Sequence, residues 1–263
     1  RTTTGFGGLD SRLGARSVSD DFGYDLSSTV NLHKLLPDRY GWNFPVTVST
    51  RKNVSTPKFL PNQGDIRLED FINATNDNDN LSDAEKESVI DQRIDEIETV
   101  QDDFSINISN ISKQNSQNKL ARYTIDNTTL SYVYNEGSSK NPEIELQNDW
   151  NFTSSIQYNL TFNNVQLLRP FSFTEGVPVL GVLSGLRLGY MPTSINASAN
   201  LNRSYTEKRR RAQLDEQGME EIQPLQQSHT FNQRSSFGVN YNLTPSIPIS
   251  IRTNTNHDLS NAG

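Results

Sequence analysis

Hydrophobic residues in this chain fall on every second position over long stretches. In "DWNFTSSIQYNLTF" the even positions Trp150, Phe152, Ile156, Tyr158, Leu160 and Phe162 are apolar, interrupted only by Ser154. The odd positions Asn151, Thr153, Ser155, Gln157, Asn159 and Thr161 are all polar. At roughly 100° per residue a helix would scatter the apolar side chains around its axis, whereas a strand gathers them on one face. The alternation returns in Tyr24, Leu26, Val30 and Leu32, and in Trp42, Phe44, Val46 and Val48 against Asn43, Thr47, Ser49 and Arg51. Leu130, Tyr132 and Tyr134 share a face, as do Leu186, Leu188 and Tyr190. Ile195, Ala197, Ala199, Leu201 and Tyr205 stand against Asn196, Ser198, Asn200 and Asn202; Phe237, Val239, Tyr241 and Leu243 against Asn240 and Asn242; Ile247, Ile249 and Ile251 against Ser250 and Arg252. The pattern predicts about seven clear strands, with weaker candidates near 104–111 and 165–173.

Prolines stop the strand patterns at Pro37, Pro192 and Pro245, each fixing φ and removing a ladder donor. Longer polar stretches, 50–103, 136–148 and 206–228, are expected as loops, so that short turns gather at one end and long loops at the other. Within the first loop Ser82 and Glu85 form a capping-box pattern ahead of Ile90, Ile94 and Ile97, which predicts a short helix over 83–100 packed on the rim of a sheet.

Composition narrows the class. The hydrophobic fraction, 33%, is low for a packed core in 263 residues, and continuous Val/Ile/Leu runs are few, which argues against an α/β enzyme. The net charge of −7 is uneven: 65–103 holds 14 acidic and 3 basic residues, a net −11 that leaves about +4 for the remainder. The acidity therefore belongs to one insertion. The absence of cysteine excludes disulfides, thiolate metal sites and a cysteine nucleophile. No run approaches the roughly 18 consecutive apolar residues of a transmembrane helix. The chain begins at Arg1 without a signal segment and ends in polar residues just after a strand pattern, and it is read as a piece of something longer.

Alternation alone fits a soluble antiparallel sheet as well as a membrane one. Two details favour the membrane. Aromatic residues (Tyr40, Trp42, Trp150, Tyr190, Tyr205) cluster near strand ends, as in the girdles that flank a lipid-facing band, and the opposite rows are dominated by uncharged Asn, Ser, Thr and Gln. The expected fold is all-β: an antiparallel up-and-down meander forming an arc of a very large transmembrane β-barrel, because an unpaired strand edge in hydrocarbon is costly. Trp42, Phe44, Val46, Val48, Trp150, Phe152, Ile156, Tyr158, Leu160, Phe162, Phe237, Val239, Tyr241 and Leu243 are the expected lipid-facing positions. Asn43, Thr47, Asn151, Thr153, Gln157, Asn159, Thr161, Asn196, Asn200, Asn240 and Asn242 are expected to face the lumen.

The run from Gly5 to Asp70, with its Gly-Phe-Gly-Gly start and Ser-Thr-Pro-Lys segment, resembles the SprA/Sov family, the outer-membrane translocon of the type IX secretion system and of gliding motility in Bacteroidetes. The similarity continues in "FSINISNISK", "YTIDNTTLSYVYNE", "LLRPF" and "YMPTSINASANLNRSYTE", but not in 73–103 or 213–227. The resemblance implies a segment of a very large single-chain barrel that exports folded cargo bearing C-terminal sorting domains. It also implies a PorV-type partner barrel, a periplasmic plug protein and outer-membrane lipid around the wall, while the residues themselves suggest no cofactor and no nucleic acid. In that setting Pro37, Pro192 and Pro245 would mark periplasmic turns. The alternatives are a soluble β-sheet adhesin or binding module, and another outer-membrane barrel such as a receptor or porin.

Other motifs carry little. Asn-x-Ser/Thr recurs at Asn151, Asn159, Asn196, Asn202 and Asn242, which a polar row of Asn, Ser and Thr produces automatically at i and i+2. "NDNDNLSDAE" has acidic spacing but Leu81 at a ligand position and no glycine, so helix capping is the better reading. "KRRR" at 208–211 lies in a stretch, 203–221, with five basic and five acidic residues, as expected of an internally neutral surface loop. His33, His229 and His257 are scattered, and no catalytic or metal-ligating constellation is present.

Overall fold

A computed structural model describes residues 2–5, 17–61, 66–162, 167–174, 176, 184–214, 220–244 and 246–260. Nine strands form one antiparallel meander in chain order. They are β1 (Thr2–Gly5), β2 (Ser17–Asn31), β3 (Pro45–Pro57), β4 (Thr99–Lys113), β5 (Thr128–Lys140), β6 (Ile144–Thr161), β7 (Pro192–Arg210), β8 (Gln226–Thr244) and β9 (Ile247–Asp258). A two-residue piece, Trp42–Asn43, adds to the end of β4. The sheet is open: among the described residues no pairing joins β9 to β1 or β2. Every residue of β9 is exposed.

Among the described residues no second layer covers the sheet. Among the described residues only Leu60, Ile97 and Leu160 are buried hydrophobics, and two of these three lie outside the sheet. A chain of this size folded around an internal core would bury far more.

Short helices decorate the rims, among them α1 (Leu68–Asn76), α2 (Asp83–Ile97) and α3 (Lys119–Tyr123). The capping box is formed as the sequence predicts. Glu85 N–H donates to Ser82 Oγ at 3.4 Å, and Ser82 N–H donates to Glu85 Oε2 at 2.8 Å. The helix ends at Ile97 and not at residue 100, because Glu98 turns extended (ψ 139°) and Thr99 and Val100 pair with Ser55 and Val54. Ile97 is buried, and Thr56 Oγ1 donates to Glu98 Oε1 at 2.9 Å, which fixes the helix end beside β3.

Several boundaries differ from the sequence expectation, for one physical reason. Where both faces of a strand are wet, the period-two signal disappears although the ladder continues. So β5 runs to Lys140 and β6 begins at Ile144, leaving a three-residue turn at 141–143 where a loop over 136–148 was expected. Asn141 Oδ1 closes that turn by accepting from the N–H groups of Glu143 and Ile144 at 2.9 and 2.8 Å. Likewise β7 continues to Arg210 and β8 starts at Gln226, shortening the 206–228 loop from both sides, and β3 and β4 extend into 50–103.

The weak candidate at 104–111 is a full strand, β4, whose pattern is broken by a bulge between Ile108 and Ile111. Asn110 takes φ 56°, which moves Ile111 onto the face shared by Ile106 and Ile108. Asn43 Nδ2 donates to the Asn110 carbonyl at 2.9 Å, and Asn110 N–H donates to Ser131 Oγ at 3.2 Å, so neighbouring segments pin the bulge from both sides. Among the described residues, the candidate strands at 165–173 and 186–190 contribute a two-residue pairing of Leu167–Leu168 with Leu188–Gly189, apart from the main sheet.

Pro37 and Pro192 lie at the same rim; Pro245 falls outside the described residues. The expected split into a short-turn end and a long-loop end does not hold. The proline rim carries the connections 32–44, 114–127 and 162–191, while the opposite rim carries 58–98, 211–225 and the tight turn 141–143.

Candidate functional site

In an antiparallel ladder, directly opposed residues project to the same side. The register therefore decides whether separate apolar rows make one surface. They do. Val30 opposes Val46, which opposes Ile108, which opposes Tyr132. Leu130 opposes Ile156, which opposes Ala199, and Leu160 opposes Ile195, then Val239, then Ile251. Val46, Val48, Trp150, Phe152, Ile156, Tyr158, Leu160, Phe237, Val239 and Tyr241 all lie on this face. Trp42 reaches it through Lys113, Phe44 and Phe162 lie just outside strands, and Leu243 falls at a bulge between Asn242 and Thr244.

The surface is bare. Phe22 is 67% exposed, Ile251 63%, Phe237 47% and Ile156 42%. Such a continuous apolar area marks a contact with something other than water. Across its middle strands aromatic rings stack: Tyr132 on Phe152 at 6.1 Å, Phe152 beside Trp150 at 6.5 Å, and Trp150 on Tyr205 at 6.1 Å.

The apolar band crosses the strands obliquely. On β2 its apolar residues Phe22, Tyr24, Leu26 and Val30 centre near Leu26; on β9 Ile247, Ile249 and Ile251 centre on Ile249. Following the pairing from Leu26 through Thr50, Phe104, Glu136, Trp150 and Tyr205 leads to His229 on β8, twelve residues before Tyr241, the partner of Ile249. Twelve residues are about 41 Å along the strands and the seven strand spacings about 34 Å across them, a slope of about 50°. Interpolated, the midline crosses β6 near Ile156 and β7 near Ala197.

The other face is polar and internally bonded. Thr29 and Thr47 hydroxyls lie 2.9 Å apart, Ser49 and Ser105 2.6 Å, Ser198 and Ser236 2.7 Å, and Ser204 and Thr230 2.7 Å. Asn135 Nδ2 donates to Asn151 Oδ1 at 3.0 Å, Asn240 Nδ2 to Ser194 Oγ at 2.8 Å, and Ser250 Oγ to Asn240 Oδ1 at 2.8 Å. Thr153 meets Asn202 at 3.4 Å, and Gln157, Asn159, Thr161 and Asn200 join the face through Ser198, Asn196, Ser194 and Ser155. Asn242 opposes Pro248 on the same side.

This face is not uncharged, contrary to the sequence reading. One cross-strand row reads Asp25, Arg51, Asp103, Gly137, Asp149 and Thr206, with Arg51 bonded to Asp25 at 2.7 Å. Arg234 and Arg252 add positive charge on β8 and β9. Asp25, Asp103 and Asp149 are far apart in the sequence, and only the register brings them into one row.

The rim opposite Pro37 is tied by charges. Lys140 donates to Asp95 of α2, and Arg211 donates to the Asp95 carbonyl at 2.7 Å and to the Asn141 carbonyl at 3.2 Å. The Lys140 hydrogen bond, with Lys140 and Arg211 adding positive charge, holds the Asp95 carboxyl below its ordinary 3.8, against a desolvation that acts the other way. Glu85 is also lowered, by the hydroxyl and backbone N–H of Ser82. Arg209 pairs with Glu145 at 2.9 Å. Two of the four "KRRR" cations thus serve the neighbouring hairpin and helix. His33 Nδ1 accepts from Phe44 N–H at 3.1 Å. Among the described residues no group of three His, Cys, Asp or Glu could hold a metal, and no helix is long and apolar enough to cross a membrane.

The fold and its surfaces define a one-layer β-wall with an exposed greasy side and a hydrogen-bonded polar side. Residues 1–72 match the SprA_N family, described as motility related/secretion protein. The match takes in β1, β2 and β3. The segments 104–113, 123–136, 167–171 and 190–207, which the sequence also likens to that family, lie outside it. No curated protein matches the chain.

Proposed function

We propose that this chain is a stretch of wall from a protein-conducting channel in the outer membrane, the type IX secretion translocon, exporting folded cargo and gliding adhesins. The oblique, exposed apolar band carries the reading. Transmembrane β-strands tilt by about 35–45° under an apolar belt about 25 Å tall, and the slope of about 50° read from the register is close to that tilt. The five apolar positions from Trp150 to Leu160 bracket about 34 Å of strand, or about 22–26 Å along the membrane normal at such slopes. The polar face then lines the lumen, where Asn, Ser and Thr contact water and passing protein without offering an adhesive surface.

In this setting the cargo carries a C-terminal sorting domain, a PorV-type barrel and a periplasmic plug are neighbours, and the rim with Pro37 and Pro192 is periplasmic. The test is a pair of adjacent cysteines placed in the whole protein, otherwise cysteine-free and in native membranes. Asn240→Cys should react with a membrane-impermeant maleimide while Val239→Cys stays unreactive and is quenched by lipid-borne spin labels. Equal reaction at both positions would refute a lipid-facing side.

A further inference from the structure

Several cations project to the apolar side, Lys52, Lys113, Lys140 and Arg209 among them, and Arg203 is the one set inside its aromatic cluster. Arg203 opposes Phe152 on one side and Phe231 on the other, so its side chain shares the face of Leu201 and Tyr205. Its guanidinium carbon lies 5.5 Å from the Trp150 ring centre and 5.7 Å from that of Phe231. Two aromatic faces hold the planar group by cation–π attraction without consuming its N–H donors. Arg203 is exposed, and among the described residues no carboxylate pairs with it. Glu207, the nearest acid along the same strand face, is occupied by the Tyr205 hydroxyl at 3.0 Å.

Position gives this cation its meaning. Arg203 is about six residues along β7 from the midline of the apolar band, which is about 13 Å along the normal at a slope near 50°. Half the height of a barrel's apolar belt is about 12 Å. The guanidinium therefore lies where hydrocarbon gives way to headgroups. A surface rim charge would find a carboxylate or bulk water; this one is fixed in an apolar cluster with its donors open, a geometry suited to bidentate binding of phosphate oxygens.

We propose that Arg203, clamped between Trp150 and Phe231, binds the phosphate of an anionic lipid headgroup and so fixes one lipid against the wall. The inference rests on the apolar face meeting lipid. It is tested in the whole protein, cysteine-free except for Ser154→Cys, a neighbour on the same face, labelled with bimane. Vesicles of phosphatidylcholine with one-fifth phosphatidylglycerol carry bromine on one lipid or the other. One basic group at a membrane surface favours anionic lipid by about five-fold, so brominated phosphatidylglycerol should out-compete brominated phosphatidylcholine locally by about that factor. Arg203→Gln should bring the preference to about one, and Arg203→Lys, with charge but no planar fork, to an intermediate value. No preference in the wild type, or an unchanged preference in Arg203→Gln, would overturn the inference while leaving the lipid-facing reading intact. Absence of quenching by either lipid would overturn both.

Discussion

Replacing Ile156 with arginine separates a wall in lipid from a sheet in water. Ile156 is on the apolar face opposite Leu130 and Ala199, and the band's midline crosses β6 beside it. Its side chain is 42% exposed on this chain. If that exposure were to water, Ile156→Arg would be an ordinary surface change, within about 0.5 kcal/mol. If it is to hydrocarbon at the midplane, the cost is about 2–4 kcal/mol, falling to about 0–1 near the interfaces. Gln157→Arg is the internal control, because Gln157 lies one position away on the polar face opposite Thr129 and Ser198. The assay is denaturant unfolding of the whole protein in phosphatidylcholine vesicles, following protease protection of this segment. The expected result is a loss of about 2–4 kcal/mol for Ile156→Arg and at most about 0.5 kcal/mol for Gln157→Arg. Equal small effects would show that the exposed row is simply wet, and the channel reading would fall with it.

Two further outcomes follow from the rims. Because Asp95 is held below 3.8 in the folded chain, its tie to Lys140 and Arg211 contributes fully above that ordinary value and is lost as pH falls through the lowered one. Amide-exchange protection of α2 should therefore be flat from about pH 7 to 5 and drop only below about 3.8, and Asp95→Asn should remove that acid limb. Gly41 has φ +63°, and a β-carbon there would collide with the Gln114 carbonyl. Gly41→Ala should thus break the Gln114 N–H bond to the Gly41 carbonyl, now 2.9 Å, at about 1–3 kcal/mol, read as faster exchange at Gln114.

How much of this was legible in the sequence depended on whether a strand had a greasy face. Trp150 to Leu160 announced both the strand and the facing of its side chains, because apolar and polar residues alternated without a slip. Phe104 to Ile111 spoke more weakly, since the bulge at Asn110 changes the parity of the apolar positions halfway. The ends of β5, β6, β7 and β8 were silent: Ser138, Asn148, Glu207 and Gln227 form a continuous cross-strand row on the apolar side, yet all four are polar. A ladder of backbone hydrogen bonds extends there without any hydrophobic signature, so strand was read as loop. Arg203 escaped notice because its worth lies in Trp150 and Phe231, more than twenty residues away on either side, and only the register brings them together. The helix α2 was legible because its signal is local, a cap and a carboxylate three residues apart.

The obliqueness of the band also sets how much girth each stave supplies. A strand spaced about 4.8 Å from its neighbour and leaning by about 50° takes up about 7.5 Å of perimeter. Nine such staves bent into a ring by themselves would give a backbone radius of about 11 Å, whereas a folded domain of about 100 residues, with a radius of gyration near 13 Å, is wider than that bore. A passage for folded protein built at this lean needs a perimeter that these nine staves only partly supply.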